Sequence, residues 1–276
     1  MTAQSHSQPF AWWGPGTQWD QEQVLSILHL IENHTLDSAT AALLWLFIER
    51  KASLIVAAPP RLAGKTTTLT ALLGLRRPDV QLAYTRGQRE NFAFLRETEP
   101  SKTYIMCNEI SPHLPTYLWG DKVLRVFEAM GRGYSLGSTM HADNPEEVLS
   151  DLRHPEVDAP ARLLRLLTLV VNLEAGYTRN GILRRVREVW MQEAGGSGDD
   201  LAFRAIASWQ SKDDTFVVDT SPEAAEAIKK RLGFQGDLTA ELRRHQQAMD
   251  KWLEAGVRSY EDVRKAAAEF YGEIGA

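Results

Sequence analysis

The chain has 276 residues, of which 43% are hydrophobic and 24% charged, and it carries a net charge of −5. This length suits one α/β domain of about 200 residues with a smaller appendage. The negative charge argues against free DNA or RNA as a partner, and no apolar run reaches the ~18 residues of a membrane span. The N-terminus does not have the pattern of a secretory signal. The single cysteine, Cys107, excludes an intrachain disulfide and a four-cysteine zinc site, so a cytoplasmic protein is expected.

The first segment, residues 1–35, is predicted to form an aromatic arm followed by a helix. The arm carries Trp12, Trp13 and Trp19. Because tryptophan favours interfaces, the arm is predicted to dock either on the rest of this chain or on a partner. Asp37 is a candidate N-cap for the next helix, which leads into the core.

The segment 53–75 reads SLIVAAPPRLAGKTTTLTALLGL, which is a short apolar strand, a loop and a helix. Strand, loop, Gly-Lys-Thr and helix is the order of a phosphate-binding loop. A helix start leaves backbone N–H groups without intrahelical partners and carries partial positive charge, so it binds polyphosphates. The predicted nucleotide-binding residues are Pro60, Arg61, Leu62, Ala63, Gly64, Lys65, Thr66 and Thr67.

The loop predicts ATP and Mg²⁺ as ligands. Lys65 is expected to reach the β- and γ-phosphates, the Thr66 hydroxyl to bind Mg²⁺, and Thr67 to face the α-phosphate. Pro59 stands where the motif has its first glycine. Proline has no N–H, so Pro59 and Pro60 remove two possible phosphate donors, each worth about 1.5–3 kcal/mol. Nucleotide affinity is therefore expected to be reduced, and a helix start without any ligand is the alternative.

Two later strands end on polar residues. Glu109 follows the apolar run that ends at Cys107, and His141 follows the strand 134–140. A carboxylate at a strand's carboxyl end beside a phosphate loop is where α/β nucleotide hydrolases hold Mg²⁺ or polarise water. Glu109 and His141 are therefore the predicted catalytic residues, and Glu109 is also a predicted Mg²⁺ ligand, partly through water. A surface glutamate and a structural histidine are the alternatives.

The rest of the chain continues the α/β pattern and then becomes helical. Alternating strands and helices over 53–150 imply a parallel sheet. Helices are predicted at 91–97 and 116–133. Further strands are predicted at 166–174, 182–192, 202–209 and 215–218, with a turn at 176–181 between the first two. The run Arg184-Arg185-Val186-Arg187 is interpreted as a solvated strand face.

Taken together, these motifs resemble those of the secretion ATPase superfamily that powers type II secretion, type IV pili, archaella and type IV secretion. GKTTTLTALL is similar to the family's phosphate loop, YIMCNEIS to its second nucleotide motif, and GYSLGSTMHADNPEEVLSDL to its histidine box, which is the most specific of the three. The tail ELRRHQQAMDKWLEAGVRSYEDVRKAAAEFY is most similar to archaeal-type pilus and archaellum motors. The resemblance covers roughly residues 30–275.

The resemblance implies an α/β fold, with a RecA-like P-loop NTPase core and mainly parallel sheet at 36–220 and a C-terminal helical bundle at 221–276. It implies an ATPase that uses ATP and Mg²⁺, in which His141 senses the γ-phosphate or couples it to subunit closure. It also implies a homo-oligomer, a hexameric ring or alternatively a monomer. Such a subunit works at the inner face of the membrane with a membrane platform protein of a secretion or pilus system, without nucleic acid.

The chain also departs from the family pattern. Only about 35 residues precede the match, where the family has a large N-terminal domain. The family's acidic box is missing, and only Glu90 could substitute for it. Arg86, Arg89 and Arg132 are the candidates for arginines that complete the site from elsewhere in the ring. Two functions stay open: an active motor ATPase, or a reduced, weakly active or inactive homologue that acts as a scaffold or regulator.

Overall fold

The structure, a computed structural model, describes residues 6–7, 24–59, 62–179, 181–195 and 199–275. The strands of this part of the chain are β1 (Ser53–Ala57), β2 (Gln81–Tyr84), β3 (Thr103–Cys107), β4 (Ser135–Met140), β5 (Leu167–Thr178), β6 (Gly181–Gln192), β7 (Phe203–Gln210) and β8 (Thr215–Val218). The helices are α1 (Ile27–Glu32), α2 (Ser38–Glu49), α3 (Lys65–Leu73), α4 (Asp121–Met130), α5 (Pro145–Leu152), α6 (Ala161–Leu164), α7 (Pro222–Leu232), α8 (Leu238–Glu254) and α9 (Tyr260–Gly275). Every helix in these ranges is too short or too polar to span a lipid bilayer.

The strands form one sheet in the order β2-β3-β4-β1-β5-β6-β7-β8. The part from β2 to β5 is parallel, and β5 to β8 form an antiparallel meander. β1, β3 and β4 are buried along their whole length, as expected for parallel strands covered by helices on both faces. The predicted fold class, an α/β RecA-like core with a mainly parallel sheet and a helical C-terminal segment, is confirmed.

This topology places the predicted motifs at one edge of the sheet. β1 lies between β4 and β5, and β3 lies beside β4. Since all of these strands run parallel, their carboxyl ends meet at the same edge. The loop after Ala57, Glu109 after β3 and His141 after β4 therefore start from neighbouring points.

Helices cover both faces of the sheet. On one face α2, α3 and the C-terminal helices α7 to α9 share a hydrophobic cluster with the strands, and on the other face α4, α5 and α6 do so. The fully buried Trp45 of α2 donates a hydrogen bond from Nε1 to the Tyr271 hydroxyl over 2.7 Å, and its ring packs 4.5 Å from that of Phe270 between centroids. The C-terminal helices therefore belong to the same core as the sheet.

Local sequence signals fix several helix ends. Asp37, Asn144 and Asp237 are N-caps, and each side chain accepts a hydrogen bond from the backbone N–H three residues further on. Pro145 occupies the first position of α5, where its missing N–H costs nothing. Gly233 ends α7 in the left-handed conformation with φ 61°.

Two predicted helices are shorter than their patterns suggest. The segment 91–97 contains a single 3-10 turn, Ala93–Arg96. The helix predicted from 116 begins only at Asp121, because Gly120 has a φ of 67°, which is incompatible with a continuous helix.

The β5–β6 hairpin is longer than predicted. The turn expected at 176–181 is largely part of the ladder, in which Tyr177 pairs with Ile182 and Thr178 with Gly181. Cross-strand pairing therefore continues almost to the tip. As a result the hairpin brings Ile182 and Arg184 to the cavity described below.

Trp12, Trp13 and Trp19 of the predicted arm lie outside the described residues. The division into 1–35, 36–220 and 221–276 stays a prediction. Nearby, the described His6 accepts a backbone hydrogen bond from Tyr84 of β2 over 2.8 Å, so this part of the N-terminal segment lies against the edge of the sheet.

Candidate nucleotide site

The loop between β1 and α3 has the backbone of a phosphate cradle. Leu62 and Gly64 both have positive φ, 63° and 91°, and Ala63 between them does not. Successive residues of opposite handedness turn their N–H groups toward a common centre, which is the geometry of an anion-binding nest. α3 begins directly after Gly64 without a side-chain cap, so its positive end faces the loop.

Lys65, the first residue of α3, is buried to 8% exposure. Its Nζ lies 3.4 Å from both Nδ1 and Nε2 of His141. The ammonium group therefore sits beside the imidazole ring at equal distance from its two nitrogens. A buried ammonium requires polar or charged partners of this kind.

Glu109 and His141 form the other side of this cluster. The Oε2 of Glu109 lies 3.4 Å from Nε2 of His141, and its Oε1 accepts a hydrogen bond from the Ser111 hydroxyl over 3.1 Å. The Nδ1 of His141 lies 3.1 Å from the carbonyl oxygen of Pro59. The imidazole thus links the start of the phosphate loop to the carboxylate after β3.

These groups open onto a cavity of about 850 Å³, a size typical of small-molecule sites. The loop, the strand ends and the β5–β6 hairpin surround it together with the region of α1. The residues that line it are Leu25, Leu30, Asn33, Thr35, Leu62, Ala63, Gly64, Lys65, Thr66, Thr67, Thr68, Asn108, Glu109, His113, Leu114, Tyr117, His141, Ile182, Arg184 and Arg185.

The structure brings together most of the residues predicted as the site. Leu62, Ala63, Gly64, Lys65, Thr66, Thr67, Glu109 and His141 all line the cavity. Pro60 and Arg61 lie outside the described residues. Thr66 and Glu109 supply hydroxyl and carboxylate oxygens, the donor types that Mg²⁺ prefers, so the residues present fit a magnesium ion that keeps several waters.

Glu90, the predicted substitute for the acidic box, has a structural role instead. Its buried carboxylate accepts hydrogen bonds from the backbone N–H of Arg86 over 2.7 Å and from that of Phe92, and it faces Nε2 of His6 at 3.1 Å. It is absent from the cavity lining. A carboxylate used in this way holds the loop after β2 in shape.

The arginines predicted to complete the site lie elsewhere. Arg86, Arg89 and Arg132 do not line the cavity. Arg132 borders a separate surface depression, together with Arg96 and Arg125. Their predicted role, to complete a site from elsewhere in a ring, stays a prediction.

The arginines that do line the cavity are Arg184 and Arg185 of β6, and neither is among the predicted site residues. Arg185 is buried to 8% exposure and pairs with both oxygens of Asp214 at 2.7 and 2.8 Å. This guanidinium, with a second hydrogen bond from Trp209, holds the pKa of Asp214 well below its ordinary value. Arg187 pairs with Asp143 at 2.7 Å. The interpretation of this run as a solvated face is therefore wrong.

No family model matches the chain. It is 25% identical over 272 residues to the uncharacterized protein MJ0900 of Methanocaldococcus jannaschii, covering 90% of this chain and 49% of that protein. It is also 25% identical over 206 residues to the uncharacterized protein MJ1287 of the same organism, covering 68% of this chain and 76% of that protein. The chain thus spans about half the length of MJ0900. Among solved structures it is similar to the VirB11 ATPase from the Brucella suis type IV secretion system, crystallised with sulphate, with a TM-score of 0.42 and 18% identity over 62% of this chain and 57% of that chain.

Proposed function

We propose that this chain binds MgATP in the cavity at the carboxyl edge of its parallel sheet and hydrolyses it. The observation that carries the proposal is the convergence of Lys65, His141 and Glu109, joined by contacts of 3.4 Å at the start of an uncapped helix. An ammonium and helix-start amides neutralise phosphate charge, and a nearby carboxylate orients water or Mg²⁺. This arrangement supports a role for the three groups in phosphoryl transfer.

In this proposal the side chains exchange partners when nucleotide binds. A neutral imidazole has one N–H, yet the two nitrogens of His141 face the Pro59 carbonyl and the Glu109 carboxylate. The Lys65 ammonium offsets this excess of acceptors. A γ-phosphate draws Lys65 toward itself, which leaves His141 to report the change to the phosphate loop through Pro59.

The experiment is nucleotide titration together with phosphate release, on wild type and Lys65→Ala. Lys102→Ala is the control, because Lys102 is exposed and lies outside the cavity. Wild type and the control are expected to bind ATP and release phosphate in the presence of Mg²⁺, and Lys65→Ala is expected to do neither. Equal phosphate release by wild type and Lys65→Ala would reject the proposal.

A second candidate function is a nucleotide-binding subunit with little or no turnover, which acts as a scaffold or regulator. One observation favours it: among the described residues that line the cavity, Glu109 is the only carboxylate. A second carboxylate that could hold Mg²⁺ or water is therefore missing from this part of the chain. ATP binding with phosphate release at background would select this function over the first.

The motif resemblance supports a finer proposal about context. The chain then acts as a motor subunit of a type II/IV secretion or type IV pilus-like assembly system, on the cytoplasmic side of the membrane, with a membrane platform protein as partner. Its homo-oligomer is a hexameric ring. Light scattering with and without MgATP tests the ring, and a monomer under both conditions would exclude a stable assembly of this chain.

A further inference from the structure

One side chain of the β5–β6 hairpin touches the phosphate loop directly. The Nε of Arg184 donates a hydrogen bond to the carbonyl oxygen of Leu62 over 3.0 Å. Its Cδ lies 3.2 Å from the point where a Cβ at position 64 would be, so it packs across Gly64. We infer that Arg184 is the arginine that this chain supplies to its own site, where it positions the phosphate loop and binds a terminal phosphate of the ligand.

The contact with Leu62 sets the orientation of a peptide group. In a trans peptide the C=O and the following N–H point in opposite directions, and the described chain contains no cis peptide. Because Arg184 holds the Leu62 carbonyl on the hairpin side, the N–H of Ala63 points away from the hairpin. The positive φ of Leu62 and Gly64 on either side completes the concave arrangement. Arg184 therefore stabilises the loop in its anion-binding shape.

The remaining donors of Arg184 are available to a ligand. Arg185 and Arg187 of the same strand are engaged by Asp214 and Asp143. Among the described residues, Arg184 has no carboxylate within ion-pair distance, and its hydrogen bond to Leu62 uses Nε alone. Its side chain lines the cavity. A guanidinium presents a planar fork of N–H groups that fits two phosphate oxygens at once.

The charge balance of the cavity points to an anion. Since Asp214 neutralises Arg185, the remaining charged side chains of the described lining are Lys65, Arg184 and Glu109, besides the histidines. Two cations face one carboxylate. A polyphosphate ester supplies the missing negative charge, and Arg184 and Lys65 approach the loop from opposite elements, the hairpin and α3.

The test compares Arg184→Ala, Arg184→Gln and a control by calorimetric titration of the full chain with ATP, ADP, AMP and inorganic tripolyphosphate. Arg179→Ala is the control, because Arg179 is exposed on the same hairpin and does not line the cavity. Arg184→Ala is expected to weaken the binding of ATP and tripolyphosphate roughly tenfold to a hundredfold and to leave the binding of AMP nearly unchanged. Arg179→Ala is expected to bind all four ligands as wild type does.

Hydrogen exchange of the ligand-free protein provides a second readout. Arg184→Ala is expected to speed exchange in peptides that cover 62–64. Arg184→Gln keeps an amide donor for the Leu62 carbonyl but has no charge, so it is expected to slow that exchange again while binding of ATP stays weak. Thermal melting shows whether Arg184→Ala is still folded. If it is not, the ATP affinity of Arg184→Gln decides whether the guanidinium binds the ligand.

The inference rests on the proposed function, but the two fail differently. Equal ATP affinity of wild type and Arg184→Ala overturns the inference and leaves the proposed function standing. Binding of tripolyphosphate but not ATP by wild type, lost in Arg184→Ala, overturns the proposed function and supports the inference. No binding of either ligand by wild type overturns both.

Discussion

The Nε2 of His141 lies 3.4 Å from the Oε2 of Glu109, and the two residues follow neighbouring parallel strands. The second oxygen of Glu109 is held by the hydroxyl of Ser111. The carboxylate is therefore oriented from both sides before any ligand arrives. Such preorganisation is what a group that polarises water or holds Mg²⁺ requires.

We expect Glu109→Gln to separate binding from hydrolysis. The amide keeps the size of the side chain and an oxygen for Ser111, but it cannot accept a proton or neutralise Mg²⁺. Phosphate release should fall by about 10²–10⁴-fold, while ATP should still bind through the phosphate loop and Lys65. Glu97→Gln, at an exposed position, is the control. Unchanged turnover in Glu109→Gln would exclude this carboxylate from the chemistry.

The core of this site could be predicted because it follows from local patterns and one topological rule. Glu109 and His141 stand at the ends of apolar runs of strand length, and Lys65 follows a third such run after the phosphate loop. Parallel strands bring such positions together. Arg184 could not be found in this way. It contacts Leu62 across 122 residues of sequence, and the contact depends on a long hairpin with a register shift between Asn172 and Leu173, which no periodicity reveals.

The overall fold, like the site, could be predicted only in part. Strands, caps and the amphipathic C-terminal helices were predictable, since their signals span a few residues. The packing partner of each helix was not predictable, because a helical pattern identifies an apolar face but not the element that packs against it. No sequence pattern pairs Trp45 with Tyr271, whose hydroxyl accepts a hydrogen bond from the Trp45 indole across 226 positions.

Gly64→Ala is expected to damage the loop more than the fold. Gly64 has a φ of 91°, and a Cβ added there would lie 3.2 Å from the Cδ of Arg184. Alanine therefore disfavours the left-handed conformation of the loop, at a cost of about 1–2 kcal/mol. ATP affinity should fall by at least tenfold. Gly176→Ala is the matched control, because nothing lies within 4 Å of its Cβ position. Equal affinities of the two variants would show that the loop conformation does not determine binding.

Tyr271→Phe tests the attachment of α9 to the sheet. The Tyr271 hydroxyl accepts from Trp45 Nε1 over 2.7 Å and donates to the Leu75 carbonyl over 2.8 Å, both in buried surroundings. Its removal leaves a buried donor and a buried acceptor unpaired, each at about 1–3 kcal/mol. Denaturant unfolding should therefore show a loss of roughly 2–4 kcal/mol. Tyr177→Phe, at a position that is 89% exposed, should change nothing, and equal stability of the two variants would contradict the arrangement.

The buried pair of Glu49 and His245 joins α2 to α8. Nε2 of His245 lies 2.9 Å from Oε2 of Glu49, and Nδ1 lies 2.9 Å from the carbonyl oxygen of Glu241. Both ring nitrogens of His245 therefore face oxygen atoms. Arg50, Arg244 and the carboxylate of Glu241 are the other charged groups near this pair.

This pair predicts a specific pH dependence of stability. Burial alone raises the pKa of Glu49, but the hydrogen bond and charge of His245, with Arg50 and Arg244, outweigh burial and lower the pKa below its ordinary value of 4.5. A lowered carboxylate pKa adds stability that is fully present above pH 4.5 and is lost as the pH falls through the folded-state value. The free energy of unfolding of wild type minus that of Glu49→Gln should therefore shrink as the pH falls below 4.5. Denaturant titrations from about pH 3 to 7 measure the difference, with Glu254→Gln at the exposed end of α8 as control. Parallel pH profiles of wild type and Glu49→Gln would contradict a lowered pKa at Glu49.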